Sequence, residues 1–301
     1  MRQASAYAPG HVTGFFQICD TAEDLLKRGS RGCGASVTQG VKTSVALSPA
    51  DADSHTIRIN GEITNQAIVS LNVLDKIIAL ANQPYEINIE HTVSTPLGAG
   101  FGSSGGGAIT LALALNEALG IGLSFTEAAQ VAHISELECK TGLGTVFAAV
   151  DGGFGVLVKA GAPGVGCGVF YDHPEDLSLV YLYFGPMETS KALSDPVVRE
   201  RINSLGGRYV DRIKNDLRPE LFMELSRRFT DTVNIKTPRL SRVLEAAEEA
   251  SVPCAMAMFG EVAFSLVYRE KAAEVKAFYQ RIAKGSDVQI VDVDGNGARL
   301  I

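Results

Sequence analysis

The sequence predicts an α+β protein. One observation carries the fold class and a second bounds the number of domains. Segments of strand character and segments of helical periodicity are mixed without the regular β-α-β rhythm of a doubly wound sheet. The chain of 301 residues is long enough for one large or two medium domains with proper cores. Residues 36–47 and 55–63 are rich in Val, Thr, Ile and Ser and read as strands. Residues 66–82 read as a helix with Ile68, Leu71, Leu74, Ile77, Ile78 and Ala81 on one stripe. EINIEHTV (86–93) reads as a strand that delivers the chain into a Gly-rich loop, and AITLALALNEAL after that loop as a buried helix ending at Gly120. Ser124-Phe-Thr-Glu127 is a capping box, so a helix runs from there to about Cys139. A second Gly-rich stretch, TGLGTVFAAVDGGFGVLV, leads to GAPGVGCG, which reads as a crossing between domains. Two or three charged amphipathic helices are expected between 189 and 250, a Gly-centred apolar segment at 254–268, a helix near 270–284 and a strand near 287–293.

Net charge is −7 and the pI about 5.3. Nucleic acid and anionic membrane are therefore not expected as the main partner. A nucleotide stays open, because backbone amides and Mg²⁺ can bind phosphates. The five cysteines (19, 33, 139, 167 and 254) form no C-x-x-C pair. Such a scattered, odd set reads as reduced thiols in a cytoplasmic protein. No signal-peptide pattern and no apolar run of about 20 residues is present, so no membrane span is expected.

The loop PLGAGFGSSGGG (96–107) admits three phosphate-binding readings. A Walker-type P-loop requires a lysine that is absent. A dinucleotide fingerprint, G-x-G-x-x-G, is met literally by Gly100, Gly102 and Gly105. It should lead through one helix to a strand ending in an acid about 20 residues on, where the capping box at Glu127 stands instead. The third reading is P-x-x-x-G-x-x-S-S-(G/A) between strand and helix. Glycines let the backbone approach phosphates, the helix beginning near Ser104 aims free N–H groups and its positive end at an anion, and Ser103 and Ser104 can donate to phosphate or help ligate Mg²⁺. The bland alternative is a flexible connector with capping serines.

PLGAGFGSSGGGA resembles the second signature motif of the GHMP kinases, the galactokinase, homoserine kinase and mevalonate kinase group. APGHVTGFF and AMAMFGEVAFSLV fall, in order, where that family has its first and third motifs. Together, PGHVTGFF, GSRGCG, TGLGTV and GAPG resemble the archaeal pantoate kinases within it. The resemblance implies a two-lobed fold. Residues 1–160 would form an ATP-binding lobe of the ribosomal-S5 second-domain type, and 161–301 a ferredoxin-like lobe. ATP would lie between them against Pro96, Gly98, Ala99, Gly100, Phe101, Gly102, Ser103, Ser104, Gly105 and Gly106. It further implies transfer of the γ-phosphoryl group to the primary hydroxyl of pantoate, giving 4-phosphopantoate for coenzyme A synthesis. Other hydroxy acids, such as homoserine or mevalonate, and a nucleotide-binding regulator without turnover are the rival readings. Neither oligomeric state is specified, and a homodimer is allowed.

Individual residues carry paired readings. His133 and Glu136 share a helix face. The resemblance gives Glu136, with Ser104, the Mg²⁺ and the catalytic role, and gives His133 the substrate; the alternative is a solvated face with Glu136 paired to Lys140. GSRGCG (29–34) reads as a compact turn in which Arg31 offers a carboxylate fork and Ser30 a hydroxyl; the resemblance favours Ser30. His11 stands where other GHMP kinases often have Lys or Arg, and either binds substrate or packs at a strand end. Thr189 is a substrate contact or a helix N-cap. One departure stands out. Many GHMP kinases carry an aspartate where TGLGTV places Thr145, and Thr is no general base at neutral pH. Asp151 could replace it, activity could be lost, or positioning and charge neutralisation could suffice; the last is preferred. Lys159 stands near where pantoate kinases use an Arg.

Overall fold

The computed structural model describes residues 2–187 and 194–301. Strands β1 (Arg2–Cys19) and β2 (Gly29–Pro49) form one long antiparallel hairpin, paired from Arg2 with Leu47 to Cys19 with Gly29. Register shifts after Pro9 and after Thr13 bend it, as extra residues in one strand do. The far edge of β2 takes two neighbours. β5 (Tyr85–Val93) pairs with Val41–Pro49, and β6 (Phe154–Lys159) with Gly32–Ala35. β3 (Ser54–Ile59) lies parallel to β5, β4 (Glu62–Ile63) turns back on β3, β7 (Cys167–Phe170) pairs with β6, and β12 (Arg299–Leu300) joins the free edge of β1.

Helices α1 (Ile68–Ile78), α2 (Ser103–Leu119) and α3 (Phe125–Cys139) cover one face of this sheet. Alternation along the strands supplies the contact: Ala6, Ala8, Val45, Leu47, Ile57, Ile87 and Ile89 join Val73, Leu74, Ile77, Ile109 and Ala132 in one core cluster. α2 is apolar all round because it lies between the sheet and its two neighbouring helices. The buried stripe of α1 differs from expectation: Val69, Val73, Leu74 and Ile77 face inward while Ile68 is 53% exposed. IVSLNVLDKII is apolar on more than one face, so packing rather than periodicity selects the orientation.

The second half builds an antiparallel sheet in the order β11–β8–β10–β9, from β8 (Leu177–Pro186), β9 (Ala255–Met256), β10 (Gly260–Tyr268) and β11 (Val288–Asp292). With it go α5 (Pro196–Ile213), α6 (Pro219–Val233), α7 (Pro238–Glu249) and α8 (Ala272–Ile282). α5, α6 and α7 each open on a proline, whose missing N–H costs nothing there. Among the described residues no helix is long and apolar enough to cross a membrane.

Two expectations are corrected. GSRGCG is no turn; it is the extended start of β2, held between β1 and β6. GAPGVGCG does not cross between domains; it turns the chain from β6 back onto β7 in the same sheet. The two halves share a core instead. Val12, Phe15 and Phe16 of β1 and Phe154 of β6 pack with Phe222 and Phe229 of α6 and Phe264 of β10. Phe222 is central, its ring 5.2 to 6.1 Å from those of Phe154, Phe264 and Phe15. Phe222→Ala should lower stability by about 3–5 kcal/mol, read as a lower urea midpoint, with probes in both halves losing structure in one shared transition.

Candidate active site

The segment between β5 and α2 is a rigid loop. Ala99 and Phe101 are buried, and the Phe101 ring meets Tyr181 edge-on at 4.8 Å. Between these anchors Gly98, Gly100 and Gly102 take left-handed φ values of 70°, 77° and 64°, which favour glycine. The Phe101 carbonyl accepts the His11 N–H at 2.9 Å, and the Gly98 carbonyl accepts that of Met187 at 2.9 Å. The turn at Met258–Gly260 backs Gly100, which explains the apolar Gly-centred segment far along the sequence. A flexible connector would have none of these ties. The dinucleotide reading also fails, since α2 passes into α3 with no parallel strand after it.

Gly102 is the N-cap of α2, and no side chain caps this end. A Cβ on Gly102 would lie 2.3 Å from Thr145 Cγ2. The first-turn N–H groups at Ser103, Ser104 and Gly105 have no intrahelical acceptors and suit an anion. α3 has the reverse arrangement: its capping box is complete, with Ser124 and Glu127 bonded reciprocally.

Glu136 of α3 reaches the start of α2. Its Oε1 accepts the Ser104 hydroxyl at 2.5 Å and the Thr141 hydroxyl at 2.7 Å. The carboxylate is buried, and a Cβ on Gly142 would stand 2.0 Å from Oε2. Burial pushes its pKa up, and the two hydroxyl donors pull it back only in part. Lys140 instead ends the helix in a left-handed conformation, so the solvated ion-pair reading of Glu136 is corrected. No ion pair to Glu136 occurs among the described residues. A carboxylate with two hydroxyls is a hard-oxygen set suited to Mg²⁺. Among the described residues no group of three or more His, Cys, Asp or Glu forms a metal cage, so an ion here would depend on phosphate oxygens for further ligands.

Beside this pair lies a pocket of about 120 Å³ lined by His11, Ser30, Gly102, Thr141, Gly144 and Thr145, with Met258 and Phe259 across from them. A Cβ on Gly144 would lie 2.3 Å from Ser30 Oγ. The hydroxyls of Ser30 and Thr145 have no hydrogen-bond partner among the described residues. Phe259 holds φ 64°, uncommon for a bulky residue and a mark of functional sites; its ring meets Phe16 at 5.7 Å.

Other expected residues are elsewhere. Arg31 follows Ser30 on an extended strand, so its side chain leaves on the opposite face. There it binds the Val158 carbonyl at 2.8 Å and Asp211 at 2.6 Å. His133 is buried and outside the pocket lining; its Nε2 donates to the Arg28 carbonyl at 3.0 Å, bracing the start of β2, and burial lowers its pKa. Asp151 ends the short helix α4 (Thr145–Asp151) at the end away from Thr145 and does not line the pocket. Lys159 is exposed, also outside it. Thr189 lies outside the described residues. Thr141, Gly142, Gly144 and Phe259 also line the pocket and Ser36 braces His11, though none of them stands out in the sequence as a site residue. The glycines of TGLGT were a visible signal of close approach, but not of what approaches.

Residues 66–153 match the family GHMP kinases N terminal domain. A pantoate kinase from Thermococcus kodakarensis is 30% identical over 277 residues, 90% of each chain. The chain belongs to the GHMP kinase family. A pantoate kinase from Methanocaldococcus jannaschii is 30% identical over 270 residues, 88% of this GHMP kinase and 93% of that one. A solved structure described as a phosphotransferase related to the CoA biosynthesis pathway superposes with a TM-score of 0.88 at 27% identity, covering 99% of this chain and 98% of that one. The α+β GHMP kinase fold expected from the sequence is therefore the observed one.

The buried carboxylate of this GHMP kinase has a stability signature. A carboxyl with a raised pKa binds its proton more tightly folded than unfolded. Stability then falls as pH rises from the ordinary carboxylate range through the folded value, and the full cost is present above it. Glu136→Gln keeps the acceptor for Ser104 and Thr141. It should raise the melting temperature of the ligand-free protein at pH 8, with the gain vanishing near pH 4, as calorimetry across that range would show.

Proposed function

We propose that this chain is an ATP-dependent kinase that phosphorylates the primary hydroxyl of pantoate, giving 4-phosphopantoate, as a cytoplasmic step of coenzyme A biosynthesis. The observation that carries the reading is the Ser104–Glu136 pair at the uncapped end of α2, beside a pocket with unpartnered hydroxyls. The pantoate kinases of similar length and sequence support the substrate.

Each part of the chain has a task in phosphoryl transfer, where positioning and charge neutralisation dominate. The loop and first-turn amides from Gly98 to Gly105 receive phosphate oxygens, whereas the Gly106 N–H is already bonded to the Gly102 carbonyl. Ser104 and Glu136 would hold Mg²⁺, which on binding supplies neutralising charge at the β- and γ-phosphates. A divalent cation suits a buried carboxylate that lacks a protein cation. Ser30, on the pocket side of β2, presents its hydroxyl to the acceptor. His133 acts at one remove, by fixing the backbone that carries Gly29 and Ser30.

Mass detection of phosphorylated product from a panel containing pantoate, homoserine and mevalonate, with ATP, should show 4-phosphopantoate as the main product. Tight ATP binding without product from any acid would sink the kinase reading. Glu136→Gln should cut turnover at least ~10²-fold, the scale for losing an electrostatic catalytic group. Ser30→Ala should raise the KM for pantoate about tenfold, on the order of one lost hydrogen bond to a charged group. Arg31→Ala should leave that KM near its original value; steady-state kinetics of the two variants separates the neighbouring residues.

A further inference from the structure

We propose that His11 is the proton acceptor for the attacking hydroxyl, filling through Nε2 the role vacated by a threonine at position 145. This rests on the kinase reading above.

Three observations converge on the imidazole. First, its tautomer is set by its neighbours. Ser36 donates its hydroxyl hydrogen to the Ala148 carbonyl at 3.1 Å. The same oxygen can then only accept from the ring, at 3.1 Å from Nδ1. The proton is thus on Nδ1, and Nε2 holds a lone pair. Second, that lone pair is free and open. Nε2 has no hydrogen-bond partner among the described residues and is not a sealed buried atom. It lies over Gly34, where a Cβ would come within 2.4 Å, so a side chain at 34 would displace the ring. Third, the ring sits where the two substrates meet. His11 lines the acceptor pocket together with Ser30 and Thr145, while its own backbone N–H holds the phosphate loop at Phe101.

The other titratable groups nearby do not compete. Cys33 on β2 also lines the pocket, but burial pushes its thiol pKa well up and keeps it protonated. Glu136 of α3 is engaged by Ser104 and Thr141. Asp151 is at the far end of α4. The phosphate loop and the turn at Met258 and Phe259 bring no ionisable side chain to the ring. Burial alone lowers the His11 pKa to about 4, so the ring is neutral at physiological pH. Phosphate charge delivered with ATP favours the imidazolium as it forms.

The step balances. The substrate O–H bond breaks and its proton passes to Nε2. The oxygen bonds to the γ-phosphorus as the bridge to the β-phosphate breaks, and that electron pair leaves with ADP. The imidazolium then returns its proton to water as the products depart.

The test is His11→Asn, whose amide nitrogen can still donate to Ser36. We expect kcat to fall about 10²-fold, within the range for a lost general base, with ATP affinity by calorimetry unchanged. A carboxylate restored beside the pocket, in His11→Asn/Thr145→Asp, should recover at least about tenfold of that loss. Unchanged kcat in His11→Asn, or a change confined to KM, would overturn the proposal. Nitrogen-15 NMR of histidine-labelled wild-type protein addresses the same point without substitution. It should show an Nδ1–H tautomer in the free protein and a proton on Nε2 in the complex with MgADP, aluminium fluoride and pantoate; an Nε2–H tautomer at the start would overturn it. Wild-type protein that makes no phosphopantoate would instead count against the kinase reading, so the two failures are distinct.

Discussion

The pairing of β1 with β2 is the constraint on which the site depends. These strands cross both halves of the molecule, and their register brings His11 opposite Ser36 and Cys19 opposite Gly29. A slip of one residue would send every side chain to the other face. Ser30 would leave the pocket and Arg31 would enter it. Apolar residues on both faces of the hairpin resist such a slip, since Ala8 and Val45 pack under the helices while Val12 and Phe15 pack against the second half.

Within that frame the site carries a cost in the free protein. Glu136 is a buried carboxylate with two hydroxyls in place of a cation. A buried carboxylate of this kind is unfavourable until positive charge arrives. The same burial that makes the carboxylate costly prepares it for a ligand that brings a cation. His11 is the complementary case, a base kept neutral by burial until negative charge comes near.

Local features were legible in the sequence. The capping box at Ser124 and Glu127 and the glycine end of α2 at Gly120 depend on residues a few positions apart, and both are present. The loop from Pro96 to Gly107 was legible because close backbone approach needs glycine at defined points. Burial of Glu136 was not, because spacing makes it look like a surface partner of Lys140. The placement of Ser30 and Arg31 on opposite faces was not legible, because it follows from residues 29–34 being extended, which only pairing with β1 and β6 decides. The orientation of His11 depends on Ser36 and Ala148, contacts that no periodicity encodes.

The ties from the Gly-rich loop to the second half bear on what gives the loop its shape. Gly98 is fastened to Met187 and Gly100 rests on the Met258–Gly260 turn, contacts between residues far apart in the sequence. A chain ending before residue 258 would contain the whole loop and still lack the surface against which it is moulded. The shape of the loop therefore belongs to both halves of the chain together.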